Sequence, residues 1–156
     1  DEWERNVLVG VNVTQAFLHG MKENNWGRII FVGTVGVNKP STHSPGYYGA
    51  KASLHAIVRT LAKEVNGTGI TANVINPGMI ATKEVRDMLT RAAEKRNLDT
   101  DWESVHKWAA EKYMPNLTGR LPDPNDIGRI ISFLVSEPAW YINGASIAVD
   151  GGSVDA

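Results

Sequence analysis

The run Arg28-Ile29-Ile30-Phe31-Val32, closed by Gly33, constrains the fold more than any other stretch of the chain. It is apolar almost without interruption, the pattern of a strand covered on both faces of a parallel sheet. From Tyr47 to Val65 the apolar positions Ala50, Leu54, Ile57 and Leu61 recur at helical spacing, and Asn66-Gly67 and Gly69 end the helix. Ile70 to Ile75 alternates loosely and reads as the next strand, broken by Asn76-Pro77-Gly78. Strand, helix and strand in this order place the chain in the α/β class.

The flanks extend that pattern. Residues 3 to 23 read as a helix carrying Val7, Leu8, Val11, Ala16, Phe17 and Leu18, weakened by Gly10 and closed by Asn24-Asn25-Trp26-Gly27. Lys83 to Leu121 is charged with interspersed apolar residues, of which Trp102, Val105 and Ala109 share a helical stripe that reads first as packing. Asp123 can cap a helix whose first position is Pro124, with Asp126 at its positive end. Ile127, Ile130, Ile131, Leu134 and Val135 form its apolar face, Glu137-Pro138 stops it, and Ser146 to Val149 reads as the last strand.

The chemistry gathers where the first strand ends. Thr34 follows that strand, and Tyr47 and Lys51 stand one turn apart on one helix face. A free phenol, with a pKa of about 10, is a poor base at neutral pH. A nearby ammonium and the positive end of a helix both favour the phenolate. A phenol so tuned can exchange a proton with an alcohol or a carbonyl oxygen, which the Thr34 hydroxyl could hold. The plain alternative is a helix-start tyrosine stacked on a core beside a solvated lysine. In open α/β sheets ligands bind beyond the carboxyl ends of strands. Thr34 and the Asn76-Pro77-Gly78 break are both such ends, so they converge on one crevice.

Composition excludes several other chemistries. The formal net charge of −1 suggests neither nucleic acid nor an anionic membrane surface as partner. With no cysteine there is no disulfide and no thiolate metal site, and His19, His43, His55 and His106 lack ligand spacing, so no metal is expected. No apolar run approaches the roughly 20 residues of a membrane span. A serine hydrolase elbow, G-x-S-x-G, is absent. Asn-x-Thr triplets begin at Asn12, Asn66 and Asn116, but nothing else suggests secretion.

Five pieces occur in the order of one known family: Asn12 in Val11-Asn12-Val13-Thr14, Gly33-Thr34-Val35-Gly36, Tyr47-x-x-x-Lys51, Asn76-Pro77-Gly78-Met79-Ile80-Ala81-Thr82, and Val149-Asp150-Gly151-Gly152. In them the chain resembles the back half of a short-chain dehydrogenase/reductase. The resemblance implies the last three strands of a Rossmann-type, doubly wound parallel sheet, with flanking helices and a substrate lid over 83–121. It implies an NAD(P)-dependent oxidoreductase, using NAD or NADP, that interconverts a secondary alcohol and a ketone. Tyr47 would be the acid/base. Lys51 would lower its pKa and bind the nicotinamide ribose, and Thr34, usually serine in the family, would hold the reacting oxygen. Asn12 would support a water relay, although Asn6 restores the family's usual separation from the next strand. Pro77 and Gly78 would shape the cofactor wall, with Ile80 and Thr82 contacting the nicotinamide amide or the phosphates. A homo-oligomer, dimer or tetramer, in the cytoplasm is expected, with the Tyr47 to Val65 helix at the subunit contact. The family's glycine-rich dinucleotide turn is not found after any strand. Residues 1–156 are therefore expected to be one single-domain fragment, the catalytic half of a longer chain. A truncated, inactive chain serving as an association module is the alternative. A sugar-nucleotide epimerase also carries Y-x-x-x-K, but Pro77-Gly78 and Asp150-Gly151-Gly152 argue against it.

Overall fold

A computed structural model of the chain describes residues 1–153. A π-helical turn over Glu4–Leu8 runs into α1 (Val9–Glu23), which is followed by β1 (Gly27–Val32), α2 (Pro45–Glu64) and β2 (Ile70–Pro77). Then come α3 (Lys83–Glu94), α4 (Trp102–Trp108), a second π-helical turn over Ala109–Tyr113, α5 (Pro124–Leu134) and β3 (Ser146–Val149). The strands lie in the order β1-β2-β3 and all pairs are parallel. The register runs from Gly27↔Ile70 to Val32↔Ile75 and from Val74↔Ser146 to Pro77↔Val149. The expected α/β class with a parallel sheet is what the chain adopts.

Both faces of the sheet are covered, by separate apolar clusters. On one face Ile29 and Phe31 of β1 and Ile70, Ala72 and Val74 of β2 pack with Val7, Ala50, Leu54 and Val58. On the other, Ile30 and Ile75 pack with Ile127, Leu134 and Ile147. At about 1.5–3 kcal/mol for each large side chain removed from water, these contacts fix which face each helix occupies. All eight residues of central β2 are buried, whereas β1 alternates and ends on exposed Val32. The continuous apolar run thus belongs to the less covered strand, because among the described residues only β2 has a strand on each side.

The caps follow the sequence. Asp123 and Asp126 form a reciprocal capping box at α5, with Pro124 in the first turn. α2 starts at Pro45 rather than Tyr47, so Tyr47 still lies in the first turn. A third cluster, of Ala81, Leu89, Ala93, Val105, Ala109, Ala110 and Leu121, joins α3, α4 and the turn after them into one packed unit. Val105 and Ala109 are fully buried there with Trp102 packed against them, so the stripe is packing. No helix among the described residues is long and apolar enough to cross a membrane.

Candidate active site

A cavity of about 560 Å³ opens at the carboxyl ends of β1 and β2. Thr34, Val35 and Tyr47 line one side and Gly78, Met79 and Leu121 another. Tyr113 and Met114 approach from the α4 unit, and Asp150 and Ser153 from the chain after β3.

Thr34 is extended, and its hydroxyl accepts the Gly36 N–H at 3.1 Å, capping a 3-10 turn over Val35–Val37. That bond uses a lone pair and leaves the hydroxyl proton free. The Thr34 side chain also faces the Tyr47 phenol and, of the neighbours that shift that phenol, is the one that lowers its pKa. Tyr48 stands edge-on to Tyr47, ring centroids 5.2 Å apart, and packs on Gly36, where an added Cβ would come within 2.8 Å of its ring. The Lys51 ammonium donates to the Val32 carbonyl at 2.8 Å and lies 5.9 Å from the Tyr47 ring centroid. Thr34, Tyr47 and Lys51 are therefore brought together.

The electrostatics differ from the sequence expectation. Burial pushes the Tyr47 phenol above its ordinary value, outweighing the lowering by Thr34, and Tyr48 and Glu2 push it further up. Burial holds the Lys51 ammonium below its ordinary value, with Glu2 opposing. One Lys51 N–H is directed to a backbone carbonyl beside the ring.

The expectation for Asn12 is corrected. Asn12 is exposed on α1 and lies away from the α1–α2 groove lined by Val11, Thr14, Gln15 and Leu18. Asn6 sits at the site end instead. Its amide donates to the Glu2 carbonyl at 3.0 Å and carboxylate at 2.7 Å, and Glu2 in turn acts on both Tyr47 and Lys51. Asn6 lies within the π-helical turn over Glu4–Leu8.

The remaining residues follow β2. Gly78 lines the cavity, and its N–H donates to the Val149 carbonyl at 3.2 Å. Pro77 is buried at the strand end, and Ile80 packs against the α5 cluster. The Thr82 hydroxyl accepts the Val85 N–H at 3.3 Å as the cap of α3, so in this arrangement it serves a helix end rather than the cavity. The cavity also includes Asp150 of the last motif, to which no role was given, and Tyr48 and Ser153, which lie outside the motifs' fixed positions. Adjacency to Tyr47 and to Gly151-Gly152 was the only signal for them. The Asp150 carboxylate accepts the Gly152 and Ser153 N–H groups at 3.1 and 3.2 Å, folding the last turn against the cavity.

A sequence profile described as Enoyl-(Acyl carrier protein) reductase matches residues 4–154. The fold superposes with an oxidoreductase of the short chain dehydrogenase/reductase family from Burkholderia thailandensis at a TM-score of 0.77 and 28% identity, over 96% of this chain and 53% of that one. The chain belongs to the short-chain dehydrogenase/reductase family. Among its relatives are an uncharacterized oxidoreductase, YvaG, of Bacillus subtilis, 34% identical over 99% of this chain and 60% of that protein. The 3-oxoacyl-[acyl-carrier-protein] reductase FabG of Pseudomonas aeruginosa is 33% identical over 97% of this chain and 57% of that protein. The L-sorbose reductase of Gluconobacter frateurii, solved in complex with NADPH and L-sorbose, superposes at a TM-score of 0.85 with 29% identity, over 99% of this chain and 57% of that one. The chain thus spans about 60% of the length of the curated relatives it matches.

Proposed function

We propose that the protein containing this chain is an NAD(P)-dependent oxidoreductase that interconverts a secondary alcohol and a ketone. The observation that carries the reading is the meeting of the Thr34 and Tyr47 side chains at the wall of the strand-end cavity, with Lys51 one turn further along α2. Thr34, with its lone pair engaged by Gly36, can donate to a substrate oxygen. Tyr47, kept neutral by burial, can give its proton to that oxygen as it gains charge, or take the proton back in the reverse direction.

The residues present fit the nicotinamide riboside end of such a cofactor, though no glycine-rich pyrophosphate turn lies in this chain. Lys51 has three N–H donors, and the carbonyl of Val32 takes one of them, leaving donors for ribose hydroxyls. Gly78 and Met79 offer a close apolar wall. When bound, the cofactor supplies or accepts the hydride. Pro77, Ile80 and Thr82 would border it, and Asn6, rather than Asn12, is the asparagine suited to a water relay towards Lys51. FabG and L-sorbose reductase are reductases by name, and the latter was solved with NADPH, which supports the same class for this protein. The packed unit over 83–121 would act as a lid. Its Tyr113 and Met114, together with Val35 and Leu121, suit a substrate with an apolar body. Exposed Val9, Val13 and Phe17 form one stripe on α1 that suits self-association.

Replacing Tyr47 with Phe tests the chemistry. Turnover should fall while NADH or NADPH still quenches tryptophan fluorescence saturably; undiminished turnover refutes the assignment. The same titration on the 156-residue chain tests the inactive-module reading, which saturable binding contradicts.

A further inference from the structure

The helix that carries Tyr47 and Lys51 makes a third polar contact one turn beyond them, at His55. In the structure its Nε2 lies 3.1 Å from Asn76 Oδ1, and Asn76 Nδ2 donates to Ser146 Oγ at 2.9 Å. Asn76 is the last residue before the Pro77-Gly78 break and is only 5% exposed. With its amide nitrogen spent on Ser146, its oxygen faces the imidazole, which must donate from Nε2. A Cβ at Gly33 would collide with that same Asn76 oxygen, so the amide sits directly over the backbone that presents Thr34. One side chain on β2 therefore meets α2, β3 and the end of β1.

We infer that His55, acting through Asn76, is a positioning residue: it locks α2 against the strand ends so that Tyr47 stays in register with Thr34. The inference rests on the proposed role of Tyr47. Tyr47, Lys51 and His55 occupy successive turns of one helical stripe, and their partners are Thr34, Val32 and Asn76. The apolar contacts of Ala50, Leu54 and Val58 hold α2 onto the sheet but tolerate small slides. A hydrogen bond to a buried amide does not, because an unpaired buried oxygen is costly. The placement of Tyr47 against Thr34 must be close for a shared substrate oxygen, and misplacement by about 1 Å can cost on the order of 100-fold in rate.

His55→Leu, His55→Asn and His55→Gln test this. Gln carries an amide nitrogen near the place of imidazole Nε2; Asn is polar but too short to reach. Leu and Asn should lower kcat roughly 10- to 100-fold with the substrate KM little changed, and Gln should recover most of the loss. The alkaline titration of Tyr47, read as the ultraviolet difference between each protein and its Tyr47→Phe counterpart, should move to higher pH in the Leu and Asn variants and not in Gln. The titration needs no turnover, so it tests the tie even if Tyr47→Phe shows that the chemistry lies elsewhere. Unchanged kcat and titration in the Asn variant overturn the inference. So does a loss shared equally by Asn and Gln that follows the melting temperature with the Tyr47 titration unmoved.

Discussion

Lys51 donates its ammonium to the carbonyl oxygen of Val32, the last residue of β1, at 2.8 Å. The bond ties α2 to the strand that delivers Thr34 and orients the remaining donors. Lys51→Met removes those donors while keeping the stem. A charge-assisted hydrogen bond contributes about 1.5–3 kcal/mol, so the Kd for NADPH or NADH should rise on the order of 10- to 100-fold. The melting temperature should change little, since the side chain is only half-buried. Fluorescence titration beside a thermal melt checks both, and undiminished affinity removes Lys51 from the cofactor site.

Thr34 has two partners that different substitutions separate. Thr34→Ser keeps the hydroxyl and should retain turnover within about a few-fold. Thr34→Val keeps the shape but loses the cap on Gly36 and the hydroxyl that faces Tyr47. A lost cap costs about 1 kcal/mol, and the lost hydroxyl should reduce kcat at least roughly 100-fold. Equal rates in the Val and Ser proteins would show that the hydroxyl does not touch the reacting oxygen.

The raised phenol sets a pH dependence with a definite sign. Tyr47 stays protonated through neutral pH, so ketone reduction should hold level there and fall only on the alkaline side of the ordinary phenol value of about 10. Alcohol oxidation should climb over the same range. Stability follows linkage: the neutral phenol is retained in the folded chain after the unfolded chain has begun to ionise. Its contribution is complete below about pH 10 and is lost as pH rises through the folded value. Lys51, held low, acts oppositely: its contribution is present above about pH 10.5 and is lost as pH falls through its folded value. Urea melts from about pH 8 to pH 11 on the wild type, Tyr47→Phe and Lys51→Met separate the two. A Tyr47→Phe protein that loses as much stability at alkaline pH as the wild type would contradict the shift.

What the sequence disclosed was whatever depends on short-range periodicity and on types at fixed spacing. The β1, α2 and β2 elements, the Asp123 cap, and the meeting of Thr34 with Tyr47 and Lys51 are of that kind. For the relay asparagine, separation from the next strand points to Asn6 while the neighbouring residues match the family's pattern at Asn12, so the two sequence signals disagree. The Tyr47 shift was mistaken in sign because burial, which outweighs the neighbours, is a property of the folded surroundings. The contact of His55 with Asn76 joins a helix to a strand 21 residues away, and no local pattern marks it.

The unit over α3 and α4 has its own core, which makes its role separable from the rest. Leu89 is fully buried in a cluster with Val105 and Leu121, apart from the two sheet clusters. Its base is fastened by the Ala81 N–H donating to the Pro122 carbonyl at 2.9 Å and by the Leu121 N–H donating to His106 Nε2 at 2.8 Å. Leu89→Ala should cost about 2–5 kcal/mol within this unit, since Leu89 is fully buried among its apolar neighbours. Because Tyr113, Met114 and Leu121 reach the substrate cavity while Lys51 does not contact this unit's core, substrate KM should rise several-fold. The Kd for the dinucleotide should stay near its original value. Steady-state kinetics with fluorescence titration resolve the two, and parallel losses in KM and Kd would show that the unit is no separate lid.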